Sequence, residues 1–198
     1  DERSFHIFYQ LLSQPNLLAA VKLTKDPMHY DYLAHSGCVA VKGIDDAAEF
    51  KDVDRALSTL GFSGGEKQDV WKILSAVLHL GNLKFIKDTK VGQVEAGQVD
   101  PATQNILTTV ADLLSVHPTP LTKALTSRTI VSGATMRIST INVLLNPTQC
   151  RQTCDSLAKA IYNGVFNNVV STINQSIMTR NNERVESLVG VLDIYGFE

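Results

Sequence analysis

The chain has 198 residues, 44% hydrophobic and 19% charged, and its 18 Lys+Arg against 20 Asp+Glu leave a formal net charge of −2. That length fits one domain, or a large part of one, with enough apolar residues for a buried core, and the composition excludes disorder, collagen and a coiled-coil rod. The near-neutral balance shows no basic patch for nucleic acid, no apolar run approaches the ~18–20 residues that cross a bilayer, and no signal peptide opens the chain.

Apolar periodicity predicts a first helix over 2–13, around Phe5-His6-Ile7-Phe8-Tyr9-Gln10-Leu11-Leu12. Residues 14–46 are mixed, broken by Pro15, Pro27 and Gly37. A helix follows from Asp46 to Leu60, with Ala47, Phe50, Val53, Ala56, Leu57 and Leu60 on one face and Gly61 as its stop. Ser63-Gly64-Gly65-Glu66 has the form of a capping box. It opens a helix to Leu80, with Val70, Ile73, Leu74, Val77, Leu78 and Leu80 inward and Gly81 at its end. The same glycines fail the G-x-x-x-x-G-K-[ST] spacing of a phosphate loop, since Gln68 follows Lys67.

Ile86–Val99 is polar and contains glycine, so it reads as a surface loop. Asp100-Pro101 then starts a helix to Leu114, with Asp as N-cap and Pro at the first position. Pro118 and Pro120 bracket a short helical turn leading to Leu125. From Arg128 to Val143 the character changes to two β segments about a turn, a protruding hairpin with Arg137 and Ser139 outward. Asn146-Pro147 caps the longest element, a helix over 147–177. Its apolar residues Cys150, Cys154, Leu157, Ile161, Val165, Val169, Ile173 and Ile177 step by three and four, widened by Phe166 and Val170. A polar loop over 179–186 precedes the apolar run Leu188-Val189-Gly190-Val191-Leu192, which suits a strand buried on both faces.

Three cysteines, Cys38, Cys150 and Cys154, have no disulfide spacing and fit a reduced cytosolic interior. Cys150 and Cys154 lie one helical turn apart, but no His or carboxylate cluster completes a metal site, so they read as small core residues. Asn174-Gln175-Ser176 matches the glycosylation pattern and is discounted inside a helix. The chain starts at Asp1 within a helix-like segment and closes just after an apolar strand, so it is expected to be a piece of a larger protein.

The last strand delivers Asp193 at its carboxyl end, with Gly196 three residues later. In open α/β sheets ligands bind outside the carboxyl ends of strands. An Asp there can hold Mg²⁺, and a Gly N–H can reach a γ-phosphate because no Cβ blocks the approach. Asp-x-x-Gly after an apolar run has the form of a nucleotide switch, although a carboxylate beside a turn glycine has the same form.

The extended string Val191-Leu192-Asp193-Ile194-Tyr195-Gly196-Phe197-Glu198 resembles switch II of myosin motor domains. Glu2-Arg3-Ser4-Phe5-His6-Ile7-Phe8-Tyr9-Gln10-Leu11-Leu12 is similar to the helix that family places after switch I. Tyr32-Leu33-Ala34-His35-Ser36-Gly37-Cys38, Gly43-Ile44-Asp45-Asp46-Ala47, Leu60-Gly61-Phe62-Ser63 and Ile73-Leu74-Ser75-Ala76-Val77-Leu78-His79-Leu80-Gly81-Asn82 follow in the family's order. Asp155-Ser156-Leu157-Ala158-Lys159-Ala160-Ile161-Tyr162 resembles its "DALAKAIY" helix. Ser156 and Asn168 depart from the usual Ala and Trp, as in a divergent member.

The resemblance implies a mainly α fold with a short β hairpin and one core sheet strand, a fragment of the α/β P-loop NTPase head. Residues 1–187 would be part of the upper 50-kDa subdomain, and 188–198 a central-sheet strand plus switch II. ATP and Mg²⁺ would be the cofactors. Asp193 would sit near Mg²⁺ through a water, the Gly196 N–H would bond the γ-phosphate, and Glu198 would pair with a switch I Arg outside this sequence. Phosphoryl transfer is mostly positioning and charge stabilisation, so no strong base is required. The chain alone, without P-loop and switch I, is expected to be inactive.

The same resemblance places the hairpin 128–143 at an actin contact, with Met136, Arg137, Ile138, Ser139 and Thr140 as contact residues. Ser139 stands sixteen positions before Asp155, where the family carries an acidic or phosphorylatable residue and class I members use Ser or Thr. Thr126-Ser127-Arg128-Thr129 also looks like class I. The loop Lys87–Gly97, with Lys87 and Lys90, corresponds to another actin-facing loop. Implied partners are the actin filament, the rest of the heavy chain and calmodulin-like light chains on a neck outside this sequence, with no nucleic acid and no transmembrane segment. The implied location is the cytoplasmic actin cytoskeleton. Two other readings stay open: a helical interaction module with an incidental Asp-x-x-Gly, and another P-loop NTPase with a helical insertion before switch II. Sequence upstream of Asp1 would separate them.

Overall fold

Two reciprocal caps set the frame. At the start of one helix the Ser63 hydroxyl accepts from the Glu66 amide at 3.2 Å, while the Ser63 amide donates to the Glu66 carboxylate at 2.8 Å. At the start of another, Gln149 N–H donates to Asn146 Oδ1 at 2.9 Å and Asn146 N–H to Gln149 Oε1 at 3.0 Å. Each box satisfies two of the amides a helix start leaves bare. The computed structural model describes residues 2–89, 95–132, 139–178 and 189–190.

In chain order these residues form α1 (His6–Leu12), α2 (Pro15–Leu18), a 3₁₀ turn (Pro27–His29), α3 (Asp31–Ala34), α4 (Asp46–Thr59) and α5 (Gly64–Gly81). Then come β1 (Phe85–Lys87), β2 (Gly97–Val99), a 3₁₀ turn (Pro101–Thr103), α6 (Gln104–Leu113), α7 (Pro118–Thr126), β3 (Ser127–Ser132), β4 (Ser139–Leu144) and α8 (Pro147–Ile177). The strands make two separate antiparallel pairs, β1 with β2 and β3 with β4. The described fold is therefore mainly helical with two small sheets.

α5 is the axis of the core. Leu74, Ser75, Ala76, Val77 and Leu78 are buried without interruption, so this helix is covered all round at its middle. α6 and α8 pack directly on it. Burial at Ser75 is satisfied by its hydroxyl donating to the Val21 carbonyl at 2.5 Å, which removes the cost of an unpaired buried donor. Trp71 meets Phe50 of α4 with ring centroids 5.0 Å apart. α1 is also buried through Phe8–Leu12. It is shorter than the expected 2–13 because its N-cap, Phe5, is extended and offers no side-chain cap. Arg3, next to it, makes two hydrogen bonds to Asp46 at 2.8 and 2.9 Å and lies over the Tyr9 ring.

Three expectations need correction. The span 86–99, read as a loop, contains most of a strand pair, with Phe85 opposite Val99 and Lys87 opposite Gly97. Three-residue strands are too short to display a period of two. Ala56, placed on the inner face of α4, is exposed; Phe50 and Leu57 of that helix are buried in the core and Val53 packs half-buried against it. The apolar stripe of α8 is buried only at its start, at Cys150, Cys154 and Ala158. At about 1.5 Å per residue this 31-residue helix is roughly 46 Å long; further along it Leu157, Ile161, Tyr162, Val165 and Val169 are half-buried against the core, while Phe166, Val170 and Ile177 are exposed. Gly61 ends α4 as expected: its φ of +95° lets Phe62 N–H reach back to the Leu57 carbonyl at 3.0 Å. The strand expected over 188–192 lies outside the described residues except for Val189 and Gly190, which carry no regular structure.

His79 of α5 donates through Nε2 to the Lys22 carbonyl at 2.9 Å and meets the edge of Tyr30. Burial holds its pKa below the ordinary 6.5. Below pH 6.5 the unfolded chain therefore takes up a proton that the folded chain resists, and stability falls until the pH passes the lowered folded value. Urea unfolding at pH 7.5 and pH 5 should show this loss, and His79→Gln, which keeps a donor, should shrink the difference between the two.

Candidate functional site

The β3–β4 hairpin rises from the end of α7. Its closing bond is Leu145 N–H to the Thr126 carbonyl at 2.9 Å, just outside the first rung, Ser127 opposite Leu144. Five more rungs follow, through Ile130–Ile141 to Ser132–Ser139. β-Branched residues fill most of them, as a pleated surface favours. The Thr129 hydroxyl donates to Asn142 Oδ1 at 3.0 Å across the pair.

The opposed pair Ile130 and Ile141 is 40% and 54% exposed, with Leu144 and Arg128 exposed nearby. A two-stranded hairpin is marginal alone, and this one holds aliphatic side chains in water. Of the expected contact residues, Thr140 is exposed opposite Val131, and Ser139 begins β4 opposite Ser132. Met136, Arg137 and Ile138 lie outside the described residues. Ile130 and Ile141 were absent from the expected contact set. Both residues fall in the two β segments expected over 128–143, but β-branched residues there have the same sequence pattern whether buried or exposed.

Beneath the hairpin, Arg151 in the second turn of α8 gathers three elements. Its Nη1 donates to the carbonyls of Gly81 and Leu83 at 3.2 and 2.9 Å, and its Nη2 to the Leu80 carbonyl at 3.2 Å. These are carbonyls at and just beyond the C-terminal turn of α5, where a cation is favoured. Nη2 also donates to Asp155 Oδ1 at 2.6 Å and to the Tyr32 hydroxyl at 3.0 Å, while the Tyr32 hydroxyl donates to the same Asp155 oxygen at 2.6 Å. The guanidinium lies 5.7 Å from the Phe85 ring centre in β1. Burial, together with the Asp155 acceptor, drives the Tyr32 pKa well above the ordinary phenol range.

Cys150 and Cys154 occupy the core as expected. Both are fully buried, and their thiols point to the Leu145 and Leu80 carbonyls. Burial pushes the Cys154 thiol up to about 11, so it stays protonated and unreactive at neutral pH. Among the described residues no three His, Cys, Asp or Glu side chains gather as a metal site, and no helix is long and apolar enough to cross a membrane. Asp193, Gly196 and Glu198 lie outside the described residues.

The sequence matches the family model of the myosin head (motor domain) over residues 1–198, and the chain belongs to that family. Its relatives are named as class I and unconventional myosins. It is 37% identical over 201 residues to the myosin IF heavy chain of Dictyostelium discoideum, covering 100% of this chain and 19% of that protein. It is 38% identical over 203 residues to unconventional myosin-Ic of Gallus gallus, again 100% and 19%. Against myosin-1 of Mycosarcoma maydis it is 38% identical over 200 residues, 100% of this chain and 15% of that one. The chain thus spans less than a fifth of the length of these relatives.

Proposed function

We propose that this chain is part of an actin-activated Mg-ATPase motor of class I type, contributing switch II and part of the actin-binding surface. The observation that carries the reading is the family match over every residue of the chain. Residues 1–187 form part of the upper 50-kDa subdomain, and 188–198 a strand of the central α/β sheet with switch II. With ATP and Mg²⁺ bound, the Gly196 N–H would serve the γ-phosphate, Asp193 would hold Mg²⁺ through a water, and Glu198 would pair with an Arg of switch I. Mg²⁺ supplies charge neutralisation on the phosphates. Met136, Arg137, Ile138, Ser139 and Thr140 contact actin, and the exposed Ile130–Ile141 pair supports that assignment.

The remaining heavy chain is the second partner. Phe166, Val170, Ile173 and Ile177 lie at i, i+4, i+7 and i+11 on α8, the spacing of a helix seam. Phe166 and Ile177 are 53% and 70% exposed, an apolar stripe suited to cover by further polypeptide of the same head. Light chains bind a neck beyond this segment, and the motor works in the cytoplasm on the actin cytoskeleton.

The test is a complete head built on this segment. It should sediment with actin filaments, release with ATP and show actin-activated turnover, while the 198-residue chain alone shows no saturable hydrolysis. Failure of the complete head to bind actin would overturn the reading. Ser139 carries the regulatory part. A phosphate there adds about −1.5 to −2 charges at the actin surface, so Ser139→Glu should exceed Ser139→Ala in actin activation several-fold. Equal activation would remove the regulatory role.

A further inference from the structure

Two hairpins, one exposed along its length and one at its outer end, meet at one glycine. Gly97 opens β2 and is buried, although the β1–β2 pair it belongs to runs out to the exposed Ile86 and Lys87. Its N–H donates to the Leu145 carbonyl at 2.6 Å, and the Leu145 N–H in turn closes the base of β3–β4 on Thr126. A Cβ on Gly97 would stand 2.7 Å from Cys150 Sγ, 2.9 Å from Pro147 N and 3.0 Å from Asn146 C. Two of those three atoms are backbone, in the turn that joins β4 to α8. They are held in place by the Asn146–Gln149 cap and by the Pro ring at the first helical position. The turn cannot yield without tilting the β3–β4 stem.

We propose that Gly97 is a positioning residue. It locks the β1–β2 hairpin to the stem of β3–β4, so that the two hairpins form one rigid binding surface. This rests on the actin reading above. β1–β2 offers Ile86 and the Lys87–Glu95 ion pair, and β3–β4 offers Ile130, Ile141 and Arg128. Neither hairpin has a third strand; β1 and β2 are seated on α8, with β2 also against α7, and Gly97 is the point at which that seated pair is tied to the stem of β3–β4. A filament contacted by both requires the angle between the hairpins to be held before binding, because ordering it on contact would cost affinity.

The experiment uses the complete head. Gly97→Ala should raise the actin concentration for half-maximal ATPase activation about fivefold or more. Turnover without actin should stay within twofold, because nothing at the junction belongs to the nucleotide site. Paired spin labels at Lys87→Cys and Thr129→Cys, in a Cys38→Ser background, supply the second measurement. They should give one narrow distance distribution with Gly97 present and a broad one with Ala. An unchanged actin requirement, or an equal fall of turnover with and without actin, would overturn the proposal. If Gly97→Ala does not fold, a broad label distribution in the otherwise unaltered head would overturn it, and a narrow one would support it. A head with intact Gly97 that actin fails to activate strikes instead at the reading beneath.

Discussion

A complete head carrying Gly196→Ala should bind ATP and fail to turn it over. The string Asp193-Ile194-Tyr195-Gly196-Phe197-Glu198 resembles switch II, in which the glycine amide approaches the γ-phosphate. On the proposed switch II assignment, a methyl group on that carbon would block the approach of the amide to the phosphate oxygen. The lost donor is of the kind that stabilises charge developing in the transition state, and removing one such donor costs about 10²–10³-fold in turnover. Nucleotide affinity should change far less, because the P-loop holds the other phosphates. Single-turnover hydrolysis measured beside nucleotide binding separates the two effects. Near-normal hydrolysis with the Ala in place would break the switch II assignment and, with it, the placing of the nucleotide at this end of the chain.

What could be read ahead of the structure was local. The Ser63–Glu66 box acts within four residues, and Asn146-Pro147 announced α8 at its true start; that Gln149 completes a second box there is a finding of the structure. The hairpin over 128–143 was legible as two β-rich segments about Ser132-Gly133, and the structure pairs β3 with β4 there. What could not be read depends on partners far away in sequence. β1 and β2 are three residues each, and Gly97 is buried only because the Leu145–Pro147 turn covers it. Tyr32 and Asp155 both fall in family-like strings, yet nothing in either string says that they share an oxygen 123 positions apart. The stripe on α8 has the same period whether covered or bare, so periodicity over Leu157–Ile177 gave no warning that Phe166 and Ile177 face outward. The chemistry assigned to Asp193, Gly196 and Glu198 came through the resemblance of a whole string, since Asp-x-x-Gly alone is a pattern that any turn can carry.

Arg151→Ala should be the most damaging single change to stability among the charged residues around α8. The guanidinium is the donor for three carbonyls at and just beyond the end of α5, and for Asp155 and Tyr32. Its loss leaves those carbonyls facing a cavity and Asp155 with one hydrogen-bond donor in place of two. Breaking a fully buried pair costs about 3–5 kcal/mol. Here the Arg151 and Asp155 side chains are 30% and 37% exposed, so water reaches part of the damage and about 2–3 kcal/mol is expected. Asp155→Asn removes the charge but keeps an acceptor for Tyr32 and Arg151, and should cost under about 1 kcal/mol. Arg151→Lys should fall between, because an ammonium cannot span the Leu80–Leu83 carbonyls and Asp155 together. Urea unfolding midpoints of the three variants give the order directly. If Asp155→Asn proved as damaging as Arg151→Ala, the ion pair rather than the carbonyl clamp would be what ties α8 to the end of α5.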